Sequence, residues 1–296
     1  MTTPFTKPIR TAAVIGKYHS PEVAAALPLL ADLLRARGVR LLVEEELARQ
    51  IGTAGAAAAS YETMGGEADV AIVMGGDGTM LYAARQLAAF GVPLAGVNQG
   101  RLGFMTDIAH NEMLTGIGDL LAGRFAADRR VLLEGEIWRD GVRLCGSPAF
   151  NEVVVNKGDL GRMIEMKVEV DGEFLYLLRA DGLIVATPTG STAYSLSANG
   201  PILHPMVAGI GLVPLCPHAL SNRPITISDD CTVEVTLIST HDARVHFDAV
   251  ERYDVRAGDR LRVVRSPLTV TLLHPPGYSY YAMLRGKLHW SEAPKH

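Results

Sequence analysis

Three glycines surround one carboxylate in the stretch Gly75-Gly76-Asp77-Gly78-Thr79, which directly follows an apolar run over residues 68–74. Glycine lets backbone N–H groups approach a phosphate closely, because no Cβ stands in the way. A helix N-terminus at the same place would add unpaired donors and a partial positive charge. Asp77 is unusual in a phosphate-binding loop, because a bare carboxylate repels phosphate. The stretch therefore predicts a phosphate site where Asp77 does chemistry, by binding a metal ion or by accepting a proton.

The same string is also ordinary turn chemistry, because Gly and Asp both tolerate tight backbone geometry. The string alone does not separate a plain turn from a ligand site. Its context does: a buried-looking strand precedes it, and a segment rich in Ala and Leu follows over residues 80–90. Open α/β sheets bind ligands beyond the carboxyl ends of their strands, where such a loop would lie.

A second glycine-rich loop, Gly96-Val97-Asn98-Gln99-Gly100-Arg101-Leu102-Gly103-Phe104, follows the next predicted strand. Because carboxyl ends of parallel strands meet at one edge of a sheet, we expect this loop to lie beside Asp77. A glycine-rich surface turn is the alternative, and the sequence leaves both interpretations open.

The pair Asn151-Glu152 precedes the apolar run 153–155. Asn offers donors and an acceptor, and an ionised Glu accepts from two hydroxyls, which suits a ribose or an amide. A polar turn is the simpler interpretation of this pair taken alone.

The segment 187–197 is dense in hydroxyl groups. Ser and Thr near a helix start can cap the helix or hydrogen-bond to phosphate and sugar oxygens. Capping explains one or two hydroxyls and leaves most of them without a role, which favours a ligand site. The hydroxyl residues are Thr187, Thr189, Ser191, Thr192, Tyr194, Ser195 and Ser197.

Composition restricts the class of protein. The chain has 296 residues, 48% of them hydrophobic and 20% charged, with a net charge of −4 and scattered basic residues, so neither a nucleic-acid nor a membrane partner is predicted. Cys145, Cys216 and Cys231 lie far apart without metal-type spacing, which predicts a reducing, cytoplasmic location and no zinc site. The nine histidines also lack ligand spacing and are interpreted as structural.

The first half alternates strand and helix patterns, with strands predicted at 10–16, 39–43, 70–74 and 92–97. Helices are predicted at 21–37, 80–90 and 111–122, and the Gly/Ala-rich segment 51–59 is ambiguous, with a mobile loop as one interpretation. This alternation predicts a doubly wound parallel sheet. From residue 131 short strand patterns dominate, namely 131–139, 153–155, 164–170, 174–178, 183–186, 232–238, 245–247, 261–264 and 269–273.

We therefore predict an α/β N-terminal domain with a parallel doubly wound sheet and a predominantly β C-terminal domain. The domain bounds are predicted at 1–125 for the α/β domain with the glycine loop and 126–276 for the β-rich domain. Residues 277–296 are expected to pack back on the N-terminal domain.

Together these segments resemble the NAD kinase family. The resemblance runs from about Thr11 to Trp290 and includes both glycine loops, the Asn151-Glu152 pair, the stretch 179–201 and the stretch 217–224. The string from Asp181 through Tyr194 is a highly specific signature. The Gly-Gly-Asp-Gly string is less specific, because lipid kinases and phosphofructokinases carry a similar one.

The resemblance implies phosphoryl transfer from ATP to the 2′-hydroxyl of the adenosine ribose of NAD, giving NADP and ADP. It also implies a divalent metal, Mg²⁺ above all, and a homodimer or homotetramer. Family members use the aspartate matching Asp77 as the base for that hydroxyl. An ordinary Asp is a weak base at neutral pH, and phosphoryl transfer depends mainly on positioning and charge neutralisation. We therefore expect Asp77 to orient the hydroxyl and to accept its proton late.

Matching residue by residue, the resemblance assigns ATP phosphates to Gly75, Gly76, Gly78 and Thr79. Arg162 is expected to face phosphate, and Arg179 and Asp181 to help select the substrate, in the family sometimes across a subunit interface. The full NAD-binding set implied by the resemblance is Asp77, Gly78, Phe104, Asn151, Glu152, Arg162, Arg179, Asp181, Thr189, Thr192, Ala193, Tyr194, Ser195 and Ser197.

Two positions depart from the family pattern. Asn199 replaces a usual glycine in a turn, and Val250 stands where many relatives have Gln, so that contact is not carried over. No residue is assigned as a metal ligand, since phosphates can supply most of the coordination.

Three other functions are alternatives to NAD kinase activity. An NAD-dependent oxidoreductase should carry Gly-x-Gly-x-x-Gly after the first strand, where this chain has Gly16-Lys17-Tyr18-His19. A lipid (diacylglycerol-type) kinase shares the Gly-Gly-Asp-Gly loop but should lack the 187–194 string. A non-catalytic dinucleotide sensor would have little use for Asp over Asn at position 77. Use of NADH or polyphosphate, and feedback by NADPH, stay open.

Overall fold

The structure, a computed structural model, describes residues 3–100, 103–158, 162–239 and 241–290. The helices are α1 (Pro21–Ala36), α2 (Glu45–Ile51), α3 (Tyr61–Glu67), α4 (Asp77–Leu87), α5 (Met113–Leu121), α6 (Tyr194–Ser197) and α7 (Tyr280–Leu288). The strands are β1 (Thr3–Phe5), β2 (Thr11–Gly16), β3 (Arg40–Glu44), β4 (Ala57–Ala59), β5 (Val70–Met74), β6 (Leu94–Val97), β7 (Phe125–Arg139), β8 (Val142–Ala149), β9 (Glu152–Lys157), β10 (Ile164–Val170), β11 (Glu173–Ala180), β12 (Gly182–Ala186), β13 (Gly209–Leu215), β14 (Ile225–Ser228), β15 (Val233–Leu237), β16 (Ala243–Phe247), β17 (Glu251–Val255) and β18 (Arg260–His274).

The chain divides into two compact units. The first comprises Met1–Arg129 with Val270–His296, and the second comprises Arg130–Thr269. The chain passes from the first unit to the second within β7 and returns within β18. The domain bounds inferred from sequence, at 125/126 and 276/277, stay predictions, and residues 291–296 lie outside the described part of the chain.

The first unit contains a parallel sheet in the order β6-β5-β2-β3-β4, and the end of β18 pairs in parallel with β6. All five residues of β5 are buried, as expected for a parallel strand covered on both faces. Leu27, Leu30 and Leu34 of α1 are buried along one stripe, as predicted. Ser20 caps this helix by accepting a hydrogen bond from the Val23 N–H at 3.4 Å. The predicted α/β class of this half is confirmed.

Several elements of the first unit were not predicted from the sequence, including β1 and α2. The segment 51–59, which the sequence left ambiguous, holds the end of α2 and the short strand β4, which pairs in parallel with β3. Alanines have little intrinsic strand preference, so pairing with β3 decides the conformation of β4. Helices α3 and α7 were also not predicted. Each begins after a capping serine, Ser60 for α3 and Ser279 for α7.

The second unit is built from antiparallel strands. One sheet has the order β14-β13-β12-β9-β16-β17, and β11, β10, β15 and β18 pair in a second antiparallel set. Val155, Leu183 and Phe247 of the first sheet are buried in one core together with Met166 and Val235 of the second set. The predicted β-rich second half is confirmed.

The pattern missed β8, β13, β14 and β17 in this unit, and it divided β18 into two strands. Strand β13 contains Gly209, Gly211 and Pro214, residues that argue against a strand when only local sequence is considered. Its residues are all buried, and it is held between β12 and β14. Among the described residues, no helix is long and apolar enough to cross a membrane.

Candidate active site

The glycine loop of the first unit connects β5 directly to α4, which begins at Asp77 rather than at residue 80 as predicted. The Gly75 N–H donates to the Val97 carbonyl at 2.9 Å, which ties the loop to the neighbouring strand. A Cβ on Gly75 would lie 2.7 Å from the Thr79 Cβ, so no larger residue fits there. In contrast, a Cβ on Gly76 or on Gly78 would meet no protein atom within 4 Å. These two glycines border open space at the helix start.

The Asp77 carboxylate is held by backbone donors from the second glycine-rich loop. Its Oδ2 accepts from the Phe104 N–H at 2.8 Å, and its Oδ1 accepts from the Met105 N–H at 3.0 Å. The Thr106 hydroxyl lies 3.5 Å from Oδ1. A carboxylate oxygen can accept two hydrogen bonds, so Oδ2 keeps one acceptor position for another donor. The location in the first turn of α4 also favours the negative charge.

The second loop begins after β6, and the buried Asn98 stabilises it through hydrogen bonds. The Asn98 Nδ2 donates to the Thr106 hydroxyl at 3.2 Å, and the Asn98 N–H donates to the Ile108 carbonyl at 2.8 Å. The predicted juxtaposition of the two loops is thus confirmed, although Arg101 and Leu102 lie outside the described residues. Phe104 has the Lys287 ammonium 5.8 Å from its ring centroid, a cation–π distance.

A buried histidine lies next to this loop and was not singled out from the sequence. The His274 Nδ1 lies 2.6 Å from Asp107 Oδ2, and its Nε2 lies 3.4 Å from Asp128 Oδ2. Its ring stacks on Tyr278 with centroids 3.8 Å apart. Asp107 and His274 are 167 residues apart, so sequence spacing gives no signal for their contact.

Asp107 also lines a cavity of about 1200 Å³ in the first unit. Ile108, Asn111, Glu112 and residues of α5 and of the stretch 275–289 also line this cavity. Asp107 Oδ1 is buried and has no hydrogen-bond partner in the described part of the chain. Among the described residues, His274 is therefore the side chain that contacts the Asp107 carboxylate.

In the second unit, a turn residue organises the predicted Asn151-Glu152 pair. Asp248 follows β16 with a positive φ of 53° and is buried. Its carboxylate accepts from the backbone N–H groups of Phe150 at 2.6 Å, Asn151 at 2.7 Å and Glu152 at 3.0 Å. Sequence reasoning did not assign this role. An Asp directly after a strand and ahead of a turn was the available signal, because Asp tolerates left-handed backbone.

Glu152 is 6% exposed, and its Oε2 makes no hydrogen bond to the described residues. Burial, and next the negative charge of Asp248, raise the pKa of Glu152 to about 8. A buried carboxyl oxygen without a hydrogen bond to the described residues is suited to a ligand that brings its own hydroxyl group.

The hydroxyl-rich segment is largely engaged with its own backbone. The Thr187 hydroxyl donates to the Phe150 carbonyl at 2.7 Å and accepts from the Gly190 N–H at 3.0 Å. Ser191 and Thr192 donate to the carbonyls of Pro188 and Thr189. The number of hydroxyls is therefore a weaker argument for a ligand site than the sequence suggested.

The remaining hydroxyls of this segment differ in exposure. Thr189 accepts from the buried Arg130 guanidinium at 3.3 Å, a contact that was not predicted. Ser195 is buried, whereas Tyr194 and Ser197 are exposed. The two exposed hydroxyls are therefore the ones open to a ligand.

The other predicted residues of the second unit lie at the opposite end of β12. Asp181 pairs with Lys157 at 2.9 Å, and Arg162 and Arg179 line a common cavity of about 570 Å³. Because β9 and β12 are antiparallel, Glu152 lies opposite Ala186 and thus at the far end of the strand from Asp181. Four residue steps separate Gly182 from Ala186, which is about 14 Å. The second unit therefore holds two clusters of predicted site residues.

The described residues contain no group of three or more His, Cys, Asp or Glu side chains that could hold a metal ion. Cys145, Cys216 and Cys231 are all free thiols.

Comparisons with known proteins agree with this arrangement. Residues 13–125 match the ATP-NAD kinase N-terminal domain, and residues 150–274 match the ATP-NAD kinase C-terminal domain. The NAD kinase of Aromatoleum aromaticum is 59% identical over 290 residues, covering 98% of this chain and 97% of that protein. The NAD kinase of Azoarcus sp. is 56% identical over 288 residues, covering 97% of this chain and 98% of that protein.

Two solved structures share the fold. Yeast NADH kinase complexed with NADH superposes with a TM-score of 0.90 at 23% identity, over 98% of this chain and 90% of that chain. An NAD kinase from Archaeoglobus fulgidus in complex with ATP gives a TM-score of 0.72 at 23% identity, over 94% of this chain and 98% of that chain.

A parallel α/β unit with a Gly-Gly-Asp-Gly loop at its strand ends, joined to an antiparallel β unit, defines a two-domain nucleotide kinase. The chain belongs to the ATP-NAD kinase family. The resemblance inferred from the sequence is confirmed, and the lipid kinase and non-catalytic sensor alternatives find no support among the relatives.

Proposed function

We propose that this chain transfers the terminal phosphoryl group of ATP to the 2′-hydroxyl of the adenosine ribose of NAD, with Asp77 acting on that hydroxyl. One observation carries the assignment of Asp77. Its carboxylate is fixed at the start of α4 by the N–H groups of Phe104 and Met105, and Oδ2 keeps one acceptor position. A ribose hydroxyl is a donor of the kind that this position can accept.

Asp77 orients the hydroxyl oxygen toward the terminal phosphorus of ATP, the new P–O bond forms while the bond from that phosphorus to the ADP oxygen breaks, and Oδ2 then takes the hydroxyl proton. A carboxylate is a weak base at neutral pH, so proton transfer follows rather than precedes bond formation. The N–H groups around Gly75, Gly76, Gly78 and Thr79 bind the phosphates of ATP. The open space at Gly76 and Gly78 supports this, because no Cβ keeps the phosphates away.

Glu152 and Asn151 bind NAD in this proposal. The buried Glu152 carboxyl hydrogen-bonds to hydroxyl or amide groups of the ligand, and the Asp248 turn holds both residues in place. The rest of the NAD-binding set is proposed from the resemblance to the family, namely Gly78, Phe104, Arg162, Arg179, Asp181, Thr189, Thr192, Ala193, Tyr194, Ser195 and Ser197.

Arg179 and Asp181 act on the dinucleotide of a neighbouring subunit in a homodimer or homotetramer, and Arg162 faces a phosphate group. The separation of about 14 Å along β12 between their cluster and Glu152 supports this. We also propose a cytoplasmic location, which the three free thiols favour.

Magnesium accompanies ATP in this proposal and is bound chiefly by the phosphate oxygens. The ion supplies neutralisation of the phosphate charge, and no step assigned to Asp77 depends on its coordination.

The test is NADP formation by the purified protein from NAD, ATP and Mg²⁺, compared with the Asp77→Asn variant. The variant should keep its fold and most of its NAD affinity and lose turnover by roughly 10²- to 10⁴-fold, the usual contribution of a general base. Near-normal turnover by the variant would exclude the assigned role of Asp77.

A further inference from the structure

His274 is a buried histidine at the end of β18, and the sheet places it beside the loop that holds Asp77. Strand β18 pairs in parallel with β6, with Leu273 opposite Ala95. The next residue is therefore level with Gly96, whose carbonyl accepts the Ile108 N–H at 3.1 Å. His274 thus lies where the second glycine-rich loop rejoins the sheet.

A short path of one side-chain contact, a few backbone residues and hydrogen bonds links this histidine to Asp77. Asp107, which contacts His274 at 2.6 Å, directly follows the three residues whose donors hold the Asp77 carboxylate. The far end of the same loop is tied by Ile108 to β6. Because Asp107 and Ile108 are both held by these contacts, the position of Asp107 determines the orientation of the Phe104 and Met105 N–H groups.

The surroundings of Asp107 indicate that its contact with His274 prevents the Asp107 side chain from rotating. The side chain of His274 is 1% exposed and that of Asp107 is 7% exposed, so their contact is desolvated. Asp107 also borders the cavity of about 1200 Å³. Without its imidazole partner, a buried carboxylate gains by turning toward such a space, because an unpaired charge in the interior is costly. That rotation would displace the neighbouring peptide groups of Phe104 and Met105, whose N–H groups orient the Asp77 carboxylate.

We propose that His274 is a positioning residue for phosphoryl transfer: through Asp107 it fixes the backbone amides that orient the Asp77 carboxylate. The inference rests on the proposed role of Asp77. His274 itself touches neither substrate nor the reacting atoms in this scheme. Asp128 Oδ2 lies 3.4 Å from Nε2 on the other side of the ring, and Asp128 is not part of the path to Asp77.

A matched pair of substitutions separates positioning from packing. In His274→Asn the amide nitrogen lies near the place of Nδ1 and can still donate to Asp107. In His274→Gln the amide nitrogen lies near the place of Nε2 and reaches toward Asp128 instead. Both variants lose the ring that stacks on Tyr278, so both should lose a similar amount of thermal stability.

The two variants should differ in turnover. We expect kcat to fall roughly tenfold to a hundredfold in His274→Gln, the effect of a small displacement of a catalytic group, with the KM values for NAD and ATP little changed. His274→Asn should restore kcat to within about threefold of the parent, because the Asp107 contact is what orients the catalytic group. Equal kcat values in the two variants would overturn the proposal. If His274→Gln does not fold, Asp107→Ala replaces it, because alanine removes the carboxylate that contacts His274, and an unchanged kcat in that variant would equally overturn the proposal.

A double substitution shows whether the effect passes through Asp77. In an Asp77→Asn background, His274→Gln should cause no further loss of the residual turnover, because the group being positioned is gone. An additive loss would mean that His274 acts by another route.

The Asp77→Asn variant by itself distinguishes failure of the proposed function from failure of the positioning role. If it retains turnover, the function assigned to Asp77 fails. If it is inactive while His274→Gln matches the parent, only the positioning role fails.

Discussion

The α-carbon of Gly103 faces the carboxylate of Asp77 so closely that a Cβ at residue 103 would lie 2.8 Å from the Asp77 Cγ. The same Cβ would overlap the Thr106 hydroxyl. Glycine at this position is therefore required by the close approach of two loops and not by a left-handed backbone, since Gly103 is not among the residues with positive φ.

Gly103→Ala is expected to push the second loop away from Asp77 and to lower kcat by roughly tenfold to a hundredfold, since a displacement of about 1 Å at a catalytic group has effects of this size. Steady-state kinetics with NAD and ATP checks this. Gly66→Ala is the matched control, because a Cβ on this α3 residue meets no atom within 4 Å. Equal kinetics for both variants would contradict the prediction.

Gly78→Ala tests the phosphate site. The new Cβ meets no protein atom within 4 Å, and residue 78 lies within α4, so the free protein should be as stable as the parent or slightly more stable. The methyl group enters the space proposed for ATP, and the KM for ATP should therefore rise severalfold or more. Gly118→Ala in α5 has the same open surroundings and should leave the KM for ATP unchanged. An unchanged KM in Gly78→Ala would remove this glycine from the phosphate site.

Glu152 should make stability depend on pH. Its folded pKa is raised to about 8 by burial and then by Asp248, whereas an unfolded Glu titrates near 4.3. From about pH 4.5 to 8 the folded protein keeps a proton that the unfolded chain has released. The free energy of unfolding therefore falls as pH rises through this range, by on the order of a few kcal/mol, and levels off above it.

Glu152→Gln should flatten this dependence and be more stable than the parent above pH 8. Urea unfolding at a series of pH values measures the effect, with Glu173→Gln as a control at an exposed position. Parallel stability curves for the parent and Glu152→Gln would show that the raised pKa is absent.

Asp248→Asn should weaken the turn that holds Asn151 and Glu152. The left-handed φ of 53° suits Asn, but an amide cannot accept all three N–H bonds that the carboxylate accepts. A loss of about 1–3 kcal/mol in the free energy of unfolding is expected. Asp140→Asn, an exposed turn position with φ of 50°, should change stability by less than about 0.5 kcal/mol.

The same variant should lower the pKa of Glu152, because the neighbouring negative charge is removed. The fall in stability with pH should then shift to lower pH. A Glu152 transition that stays in place would mean that burial alone raises its pKa.

The sequence predicted the parts of the fold that follow a local rule. Strand β5 is a continuous apolar run and α1 has a leucine stripe behind a capping serine, and both were located correctly. Strand β13 was missed, because Pro214 and two glycines conceal a strand that is held by its neighbours on both sides. Strand β4 was missed for a similar reason, since its alanines follow the pairing with β3.

The sequence by itself determined the family, the order of an α/β half before a β half, and the glycine loop around Asp77, because these depend on residue types in consecutive positions. Only the tertiary structure decided what holds that carboxylate. The donors of Phe104 and Met105, the fit of Gly103, the Asp107–His274 contact and the Asp248 turn join residues far apart in the chain. Such contacts leave no local pattern, because they arise from packing between strand ends that folding alone brings together.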